Sequence, residues 1–134
     1  MSHKPGYPWV VHGADGLDEV TITGETFVAA CSTSTGVRTF AISPEDFGLQ
    51  RQSVTQWCED AIENARLIRA ILDGDIKGDV AAARDLVVIN AAAALYLADV
   101  ANDFRNATAM ARESIDSGKA ASKLEALIRE TNRR

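Results

Sequence analysis

Residues 86–98 read LVVINAAAALYLA, and this stretch decides the fold. It lies in a segment from Arg84 to Asp99 that is apolar on nearly every side, which predicts a central helix surrounded by other elements. The small side chains from Ala91 to Ala94 would let neighbouring backbones approach closely. Asn90 stands in the middle of this helix and, if it is buried, must find hydrogen-bond partners.

Two different periodicities lie on either side of this stretch. Up to about Ile42 apolar and polar residues alternate, whereas from about Ser53 apolar residues recur at helical spacing, so strands should precede helices. A Ser-Thr-Ser-Thr-Gly turn predicts that the last two strands form a hairpin. The predicted strands are Trp9–His12, Glu19–Thr23, Phe27–Cys31 and Val37–Ile42.

A short helical turn and about four helices are predicted after the strands. Ser43 and Pro44 supply a capping serine and a proline at the first helical position. A second capping box at Ser53 predicts a helix that ends near Asp73-Gly74. Beyond the central helix, further helices are expected from Ala101 to Ser117 and directly after Gly118.

Composition indicates one globular unit and excludes several classes of partner. The chain has 134 residues, of which 46% are hydrophobic, enough for a real core. The net charge is -5 and the basic residues are scattered, so no basic face for nucleic acid is expected. No apolar run reaches the roughly 20 residues of a membrane span, and no signal peptide is recognisable. We therefore expect a cytoplasmic protein.

The two cysteines and His12 carry no predicted chemistry. Cys31 and Cys58 lie far apart without a CxxC pattern, which fits neither a disulfide framework nor a zinc site. Both are expected to be small buried hydrophobes. His12 ends a predicted buried strand and is expected to be structural, so no catalytic residue is assigned.

The best functional candidate is the acidic loop Asp15-Gly16-Leu17-Asp18-Glu19. Three carboxylates in a glycine-containing loop suit a hard cation, and magnesium is often held by one or two carboxylates together with water and substrate phosphates. Asp-Gly loops with nearby acids are also frequent as solvated turns. The loop taken alone leaves both interpretations open.

A larger pattern surrounds the acidic loop. Five blocks follow one another in order and resemble the anthranilate phosphoribosyltransferases of glycosyltransferase family 3. The blocks are His12-Gly13-Ala14-Asp15-Gly16-Leu17-Asp18-Glu19, Ser43-Pro44-Glu45-Asp46-Phe47-Gly48-Leu49, Glu63-Asn64-Ala65 with Ile71-Leu72-Asp73-Gly74, Asn90-Ala91-Ala92-Ala93-Ala94-Leu95-Tyr96, and residues 111–120 with Lys123-Leu124.

This resemblance implies a fold, a reaction and a metal. The fold is the C-terminal part of a mixed-sheet α/β domain, a single partial domain over 1–134 with an atypical segment at 1–9, strands over 10–42 and mainly helices over 43–131. The reaction is phosphoribosyl transfer from phosphoribosyl diphosphate to anthranilate in tryptophan biosynthesis. Asp18 and Glu19 match the family's acids that bind Mg²⁺ on the diphosphate, while Asp15 is expected to shape the loop.

Several parts of the family pattern are not found in this sequence. They include the Gly-Thr-Gly-Gly-Asp loop that cradles the diphosphate, a Lys-His-Gly-Asn segment and an anthranilate-contacting arginine. Cys58 and Glu59 stand where the family has glycines before Asp60, and the capping box at Ser53 predicts an earlier helix start. Two functions therefore stay open: a transferase that needs a separate N-terminal half, and an inactive fragment that binds magnesium-diphosphate or another protein.

Overall fold

The computed structural model describes residues 8–54 and 60–133. Three strands, β1 (Trp9–Gly13), β2 (Thr26–Ser32) and β3 (Gly36–Ile42), form an antiparallel sheet in the order β1-β2-β3. A 3-10 turn at Pro44–Phe47 follows, and then come the helices α1 (Ala61–Leu72), α2 (Asp79–Leu97), α3 (Phe104–Asp116) and α4 (Lys119–Thr131). The α/β class and the order of strands before helices are confirmed.

The strand predicted at Glu19–Thr23 is wrong. This segment has no ladder partner, and its backbone bonds instead to other groups: the Val20 N–H to the Asn90 side chain, the Thr21 N–H to the Thr26 hydroxyl, and the Ile22 carbonyl to the Gln52 N–H. Val20 and Ile22 are buried, and so is Thr21 between them. The segment is thus a buried connection, because side chains and a loop satisfy its backbone in place of a strand.

The helix start predicted at Ser53 is also wrong. Ser53 and Val54 are not helical, residues 55–59 lie outside the described residues, and α1 begins at Ala61. Asp60 is the N-cap, since its carboxylate accepts hydrogen bonds from the N–H groups of Ile62 and Glu63, both at 2.8 Å. A charged carboxylate on two free helix N–H groups explains why the helix begins there.

An aromatic cluster joins the sheet to the helices. Phe47 stacks on Phe104 with ring centroids 4.4 Å apart, and Tyr96 meets Phe104 edge-on at 4.6 Å. Trp9 contacts Phe40 at 5.5 Å and Tyr96 at 6.1 Å. The five rings come from β1, β3, the 3-10 turn, α2 and α3, so this cluster fixes the helical layer on one face of the sheet.

Among the described residues, other elements cover only two sides of the central helix α2. Ile89, Ala92 and Ala93 face the core that includes the sheet, and Val88 faces a second cluster shared with α1 and α3. Val87 is 42% exposed, and Ala91 and Ala94 are exposed as well. The expectation of a helix surrounded on every side is therefore wrong for this third side, which we call the α2 outer stripe.

The length of α2 also differs from the expectation. It begins at Asp79, five residues before Arg84, and its 19 residues are long and apolar enough to cross a membrane by length and composition. The length of the helix therefore does not exclude a span. One such helix is weak evidence for a span, because the core helix of a soluble protein passes the same test.

The sheet face turned away from the helices is exposed, and we call it the outer face. Cys31 lies on it and is exposed, so the expectation that it is buried is wrong; Cys58 lies outside the described residues. Side chains alternate across a strand, and the strand register therefore places one set of residues together on this face. The set is Val10, His12, Phe27, Ala29, Cys31, Val37, Thr39 and Ala41.

Candidate metal-binding segment

The acidic segment, residues 13–23, leaves β1 through a tight turn. The Gly16 N–H donates to the Gly13 carbonyl at 2.9 Å, and the Gly13 N–H donates to the Leu17 carbonyl at 2.8 Å. Gly16 has φ +90°, a conformation that glycine adopts without steric cost. A side chain at Gly13 would collide with the Asp15 carboxylate and lie 3.1 Å from Thr21 Cβ. Steric constraints therefore explain why glycine occupies both position 13 and position 16.

Both carboxylate oxygens of Asp15 accept hydrogen bonds from within this segment. Its Oδ2 accepts hydrogen bonds from the hydroxyls of Thr21 and Thr23, both at 2.7 Å, and its Oδ1 accepts from the Leu17 N–H at 3.1 Å. Partial burial raises the pKa of Asp15, but these hydrogen bonds outweigh it, and the pKa lies below the ordinary value. The loop-shaping role expected for Asp15 fits this geometry.

Asn90 attaches the acidic segment to the central helix. Its Oδ1 accepts from the Val20 N–H at 3.0 Å, and its Nδ2 donates to the Val20 carbonyl at 2.9 Å and to the Leu86 carbonyl at 3.0 Å. The side-chain amide thus pairs with both backbone groups of one residue, as a neighbouring strand would. This contact fixes the backbone directly after Asp18 and Glu19.

Asp18 and Glu19 are both exposed, and they lie in a bend rather than in a strand. No ion pair among residues 8–54 and 60–133 involves either of them. The described residues also hold no group of three or more His, Cys, Asp or Glu side chains arranged for a metal. The two carboxylates offer hard oxygen ligands but only part of a magnesium shell, which other oxygens would have to complete.

An open cavity of about 590 Å³ lies beside the segment. Asp15, Gly16, Leu17 and Thr23 line one side and residues 51–54 the other, whereas Asp18 and Glu19 are outside it. Arg51 is its basic residue, and the Arg51 Nε donates to the Glu45 carboxylate at 2.9 Å. The two exposed carboxylates are therefore not among the residues that line the cavity.

Sequence reasoning identified the acids but missed the residues that hold them. The only sequence signal for Thr21 and Thr23 is their spacing of six and eight positions after Asp15. Asn90 was expected to need partners, yet Val20 is 70 positions away in the sequence, so its partner could not be read from spacing. A second long-range hydrogen bond runs from Gln52 Nε2, which donates to Asp85 Oδ2 on α2 at 2.5 Å.

Comparisons with known sequences agree on one family. The glycosyl transferase family a/b domain matches residues 3–121. The chain is similar to the anthranilate phosphoribosyltransferase of Moorella thermoacetica, with 46% identity over 121 residues, 90% of this chain and 34% of that protein. It is 48% identical over 124 residues to that of Azorhizobium caulinodans, covering 92% of this chain and 35% of the relative. The chain thus spans about a third of these relatives.

Solved structures give the same result in three dimensions. The fold is similar to the anthranilate phosphoribosyltransferase from Saccharomyces cerevisiae in complex with PRPP and Mg, with a TM-score of 0.75, 31% identity, and coverage of 87% of this chain and 33% of that one. It is also similar to the same yeast enzyme in complex with 4-fluoroanthranilate, with a TM-score of 0.76, 29% identity, and coverage of 89% and 34%.

Proposed function

Because this chain belongs to the glycosyl transferase family a/b domain, we propose that it supplies the magnesium-binding side of an anthranilate phosphoribosyltransferase. We assign Asp18 and Glu19 as ligands of a Mg²⁺ ion on the diphosphate of phosphoribosyl diphosphate. The observation that carries this proposal is that both carboxylates are exposed while Asn90 and Asp15 fix the backbone on either side of them. The reaction would belong to tryptophan biosynthesis in the cytoplasm.

The donor set suits the metal. Two carboxylates provide part of the oxygen shell that magnesium prefers, and diphosphate oxygens and water would supply the remainder. A bound magnesium ion would neutralise the charge that develops on the leaving diphosphate. The bend at residues 18 and 19 supports the assignment, because adjacent side chains outside a strand need not point to opposite faces.

The same geometry argues that this chain does not turn over substrate alone. Holding two reactants for attack requires groups that orient both of them, and the acidic segment offers only two free carboxylates. We therefore propose that residues 1–134 form one partial α/β domain, completed by the N-terminal part of the family's length. The proposed substrates are phosphoribosyl diphosphate and anthranilate, and the solved yeast complexes with PRPP and Mg and with 4-fluoroanthranilate support that choice.

The second candidate function is a fragment without turnover that still binds magnesium-diphosphate or a partner protein. It is favoured by the coverage of about a third of each relative. The two candidates share the Asp18 and Glu19 site and differ only in whether an added N-terminal part yields product.

Binding and turnover are tested separately. Isothermal titration of the purified chain with diphosphate, with and without MgCl₂, should show magnesium-dependent binding that weakens at least tenfold in Asp18→Asn and in Glu19→Gln. Glu113→Gln, an exposed acid on α3, is the matched control and should bind as the wild type does. Equal binding in all four proteins would show that the metal assignment is wrong.

Turnover is then assayed with the N-terminal two thirds of the Moorella thermoacetica relative co-expressed with the chain. Formation of N-(5-phosphoribosyl)anthranilate, reduced in Asp18→Asn and Glu19→Gln, is the expected result. Absence of product from a complex that binds magnesium-diphosphate would contradict the transferase and leave the second function.

A further inference from the structure

The open cavity beside the acidic segment carries opposite charges on its two sides. Asp15 stands on one side and Arg51 on the other. Its volume of about 590 Å³ lies within the roughly 300–1,000 Å³ of small-molecule sites, which combine apolar surface with a few polar groups that fix the orientation of a ligand. The other side chains that line it are uncharged: Leu17, Thr23, Gln52, Ser53 and Val54.

Hydrogen bonds hold both sides of the cavity in place. The Gln52 N–H donates to the Ile22 carbonyl at 3.0 Å, which connects residues 51–54 to the acidic segment. The Gln52 side chain donates to Asp85 on α2 at 2.5 Å. On the other side, two threonine hydroxyls hold the Asp15 carboxylate. The two sides are thus fixed before a ligand arrives, which lowers the cost of ordering them on binding.

Both charged groups of the cavity are open to a ligand. Asp15 is exposed, and its hydrogen bonds keep its pKa below the ordinary value, so it is ionised at neutral pH. The Arg51 Nε donates to Glu45, and the Arg51 side chain is half exposed. A guanidinium has five N–H donors in a fork, and an exposed ion pair contributes little. Arg51 can therefore bind a second carboxylate.

The two opposite charges favour one class of ligand. Asp15 would repel phosphate or another anion, and Arg51 would repel a free cation. A molecule that carries both an ammonium and a carboxylate group complements both sides. We propose that the cavity binds a free α-amino acid with an apolar side chain, its ammonium group on Asp15 and its carboxylate on Arg51. Leu17 and Val54 supply the apolar surface for the side chain. The proposed magnesium ligands do not line this cavity, so the site is independent of them.

The test is titration of the isotope-labelled chain with L-leucine, followed through the backbone amide signals in two-dimensional NMR. The signals of Gly16, Thr23 and Gln52 should shift, whereas those of α4 should not. Isopentylamine lacks the carboxylate of leucine, and isocaproate lacks its ammonium group. Each should bind about tenfold more weakly than leucine or worse, because each loses a charge-assisted hydrogen bond.

Two variants separate the guanidinium from its ion pair. Arg51→Gln should weaken leucine binding by about tenfold or more, since it removes the group that binds the carboxylate. Glu45→Gln is the matched control, because it breaks the same ion pair and keeps the guanidinium; it should bind leucine at least as tightly as the wild type. Both positions are exposed, and circular dichroism checks that each variant retains the fold.

Several outcomes would overturn the proposal. They are amide signals that do not move in a large excess of leucine, binding of isopentylamine or isocaproate as tight as that of leucine, and equal weakening by Arg51→Gln and Glu45→Gln. Displacement of leucine by magnesium diphosphate would also overturn it, because the cavity would then belong to the proposed diphosphate site. Leucine binding by a chain that does not bind magnesium diphosphate would support the amino-acid site and contradict only the proposed function.

Discussion

The aromatic cluster and the acidic segment both join the sheet to α2, but different forces hold them. In the cluster, rings from five elements pack with centroids 4.4 to 6.1 Å apart. In the acidic segment, the side-chain oxygens of Asp15 and Asn90 accept hydrogen bonds from backbone N–H groups that have no strand partner. The cluster is stabilised by the burial of apolar surface, which tolerates small displacements of the rings. The segment depends instead on a few hydrogen bonds, whose strength falls steeply with distance and angle.

This difference separates stability from function. The cluster uses all of its side chains in packing, and burial raises the pKa of Tyr96. The segment uses Asp15 and Asn90 for its own structure and leaves Asp18 and Glu19 exposed. Because Asp18 and Glu19 form none of the contacts that hold the segment, Asp15 and Asn90 have to fix its backbone. We expect substitutions in the two regions to separate along this line.

The largest loss of stability is expected in the aromatic cluster. Phe47 is 1% exposed and stacks on Phe104, so Phe47→Ala should lower the free energy of unfolding by about 3–5 kcal/mol. The control is Phe27→Ala on the outer face, where the ring is 53% exposed, and its loss should be about 1 kcal/mol or less. Urea denaturation of both variants measures the difference. Equal losses would contradict the position of the cluster as the core.

An intermediate loss is expected at the contact between the two regions. Asn90→Ala removes three hydrogen bonds and leaves the Val20 N–H and carbonyl without their partner, which should cost about 1–3 kcal/mol. Hydrogen exchange at the Val20 amide should accelerate more than exchange in α3. Asn106→Ala, at an exposed position on α3, is the control and should change neither quantity. An unchanged Val20 amide would mean that Asn90 does not hold the segment.

Much of the fold could be predicted because local patterns determine it. The hairpin of β2 and β3, the proline-initiated turn at Pro44 and the stop at Gly118 depend on residues close in sequence. The start of α1 was predicted wrongly because two capping patterns compete, and the carboxylate of Asp60, not Ser53, caps the helix. The strand at Glu19–Thr23 was predicted wrongly because Val20 and Ile22 alternate with polar residues as in a strand, whereas in the structure Thr21 between them is buried too.

The candidate site was predictable in its acids and not in its support. The spacing of Asp15, Asp18 and Glu19 is visible in the sequence, and the resemblance to a known family added the proposed roles. Which carboxylate is free depends on the threonine hydroxyls that surround Asp15. The partner of Asn90 lies 70 residues away, and such contacts depend on how α2 packs on the whole chain.

The smallest expected effect concerns the carboxylate that the segment uses for itself. The hydrogen bonds to Asp15 hold its pKa below the ordinary value in spite of partial burial. A carboxyl group whose pKa is lower in the folded state stabilises the fold above its unfolded pKa of about 4, and this contribution is lost as the pH falls through the folded value. Because the Asp15 carboxylate is exposed and screened by solvent, Asp15→Asn should lower the free energy of unfolding at pH 7 by at most about 1 kcal/mol, and the difference from wild type should shrink below about pH 4.

Urea denaturation of wild type and Asp15→Asn from pH 7 to pH 3 measures this difference. The pKa of Glu45 is also lowered, chiefly by a backbone N–H that donates to its carboxylate, so the acid dependence of the wild type has more than one source. Glu45→Gln is the control, because it should retain the part of the acid dependence that Asp15→Asn removes. A difference between wild type and Asp15→Asn that stays constant over this range would mean that the ionised carboxylate does not hold the turn. In that case the hydroxyl groups of the two threonines would fix the segment without any contribution from the charge of Asp15. The difference between Asp15, which holds the segment, and the exposed Asp18 and Glu19 would then not be electrostatic.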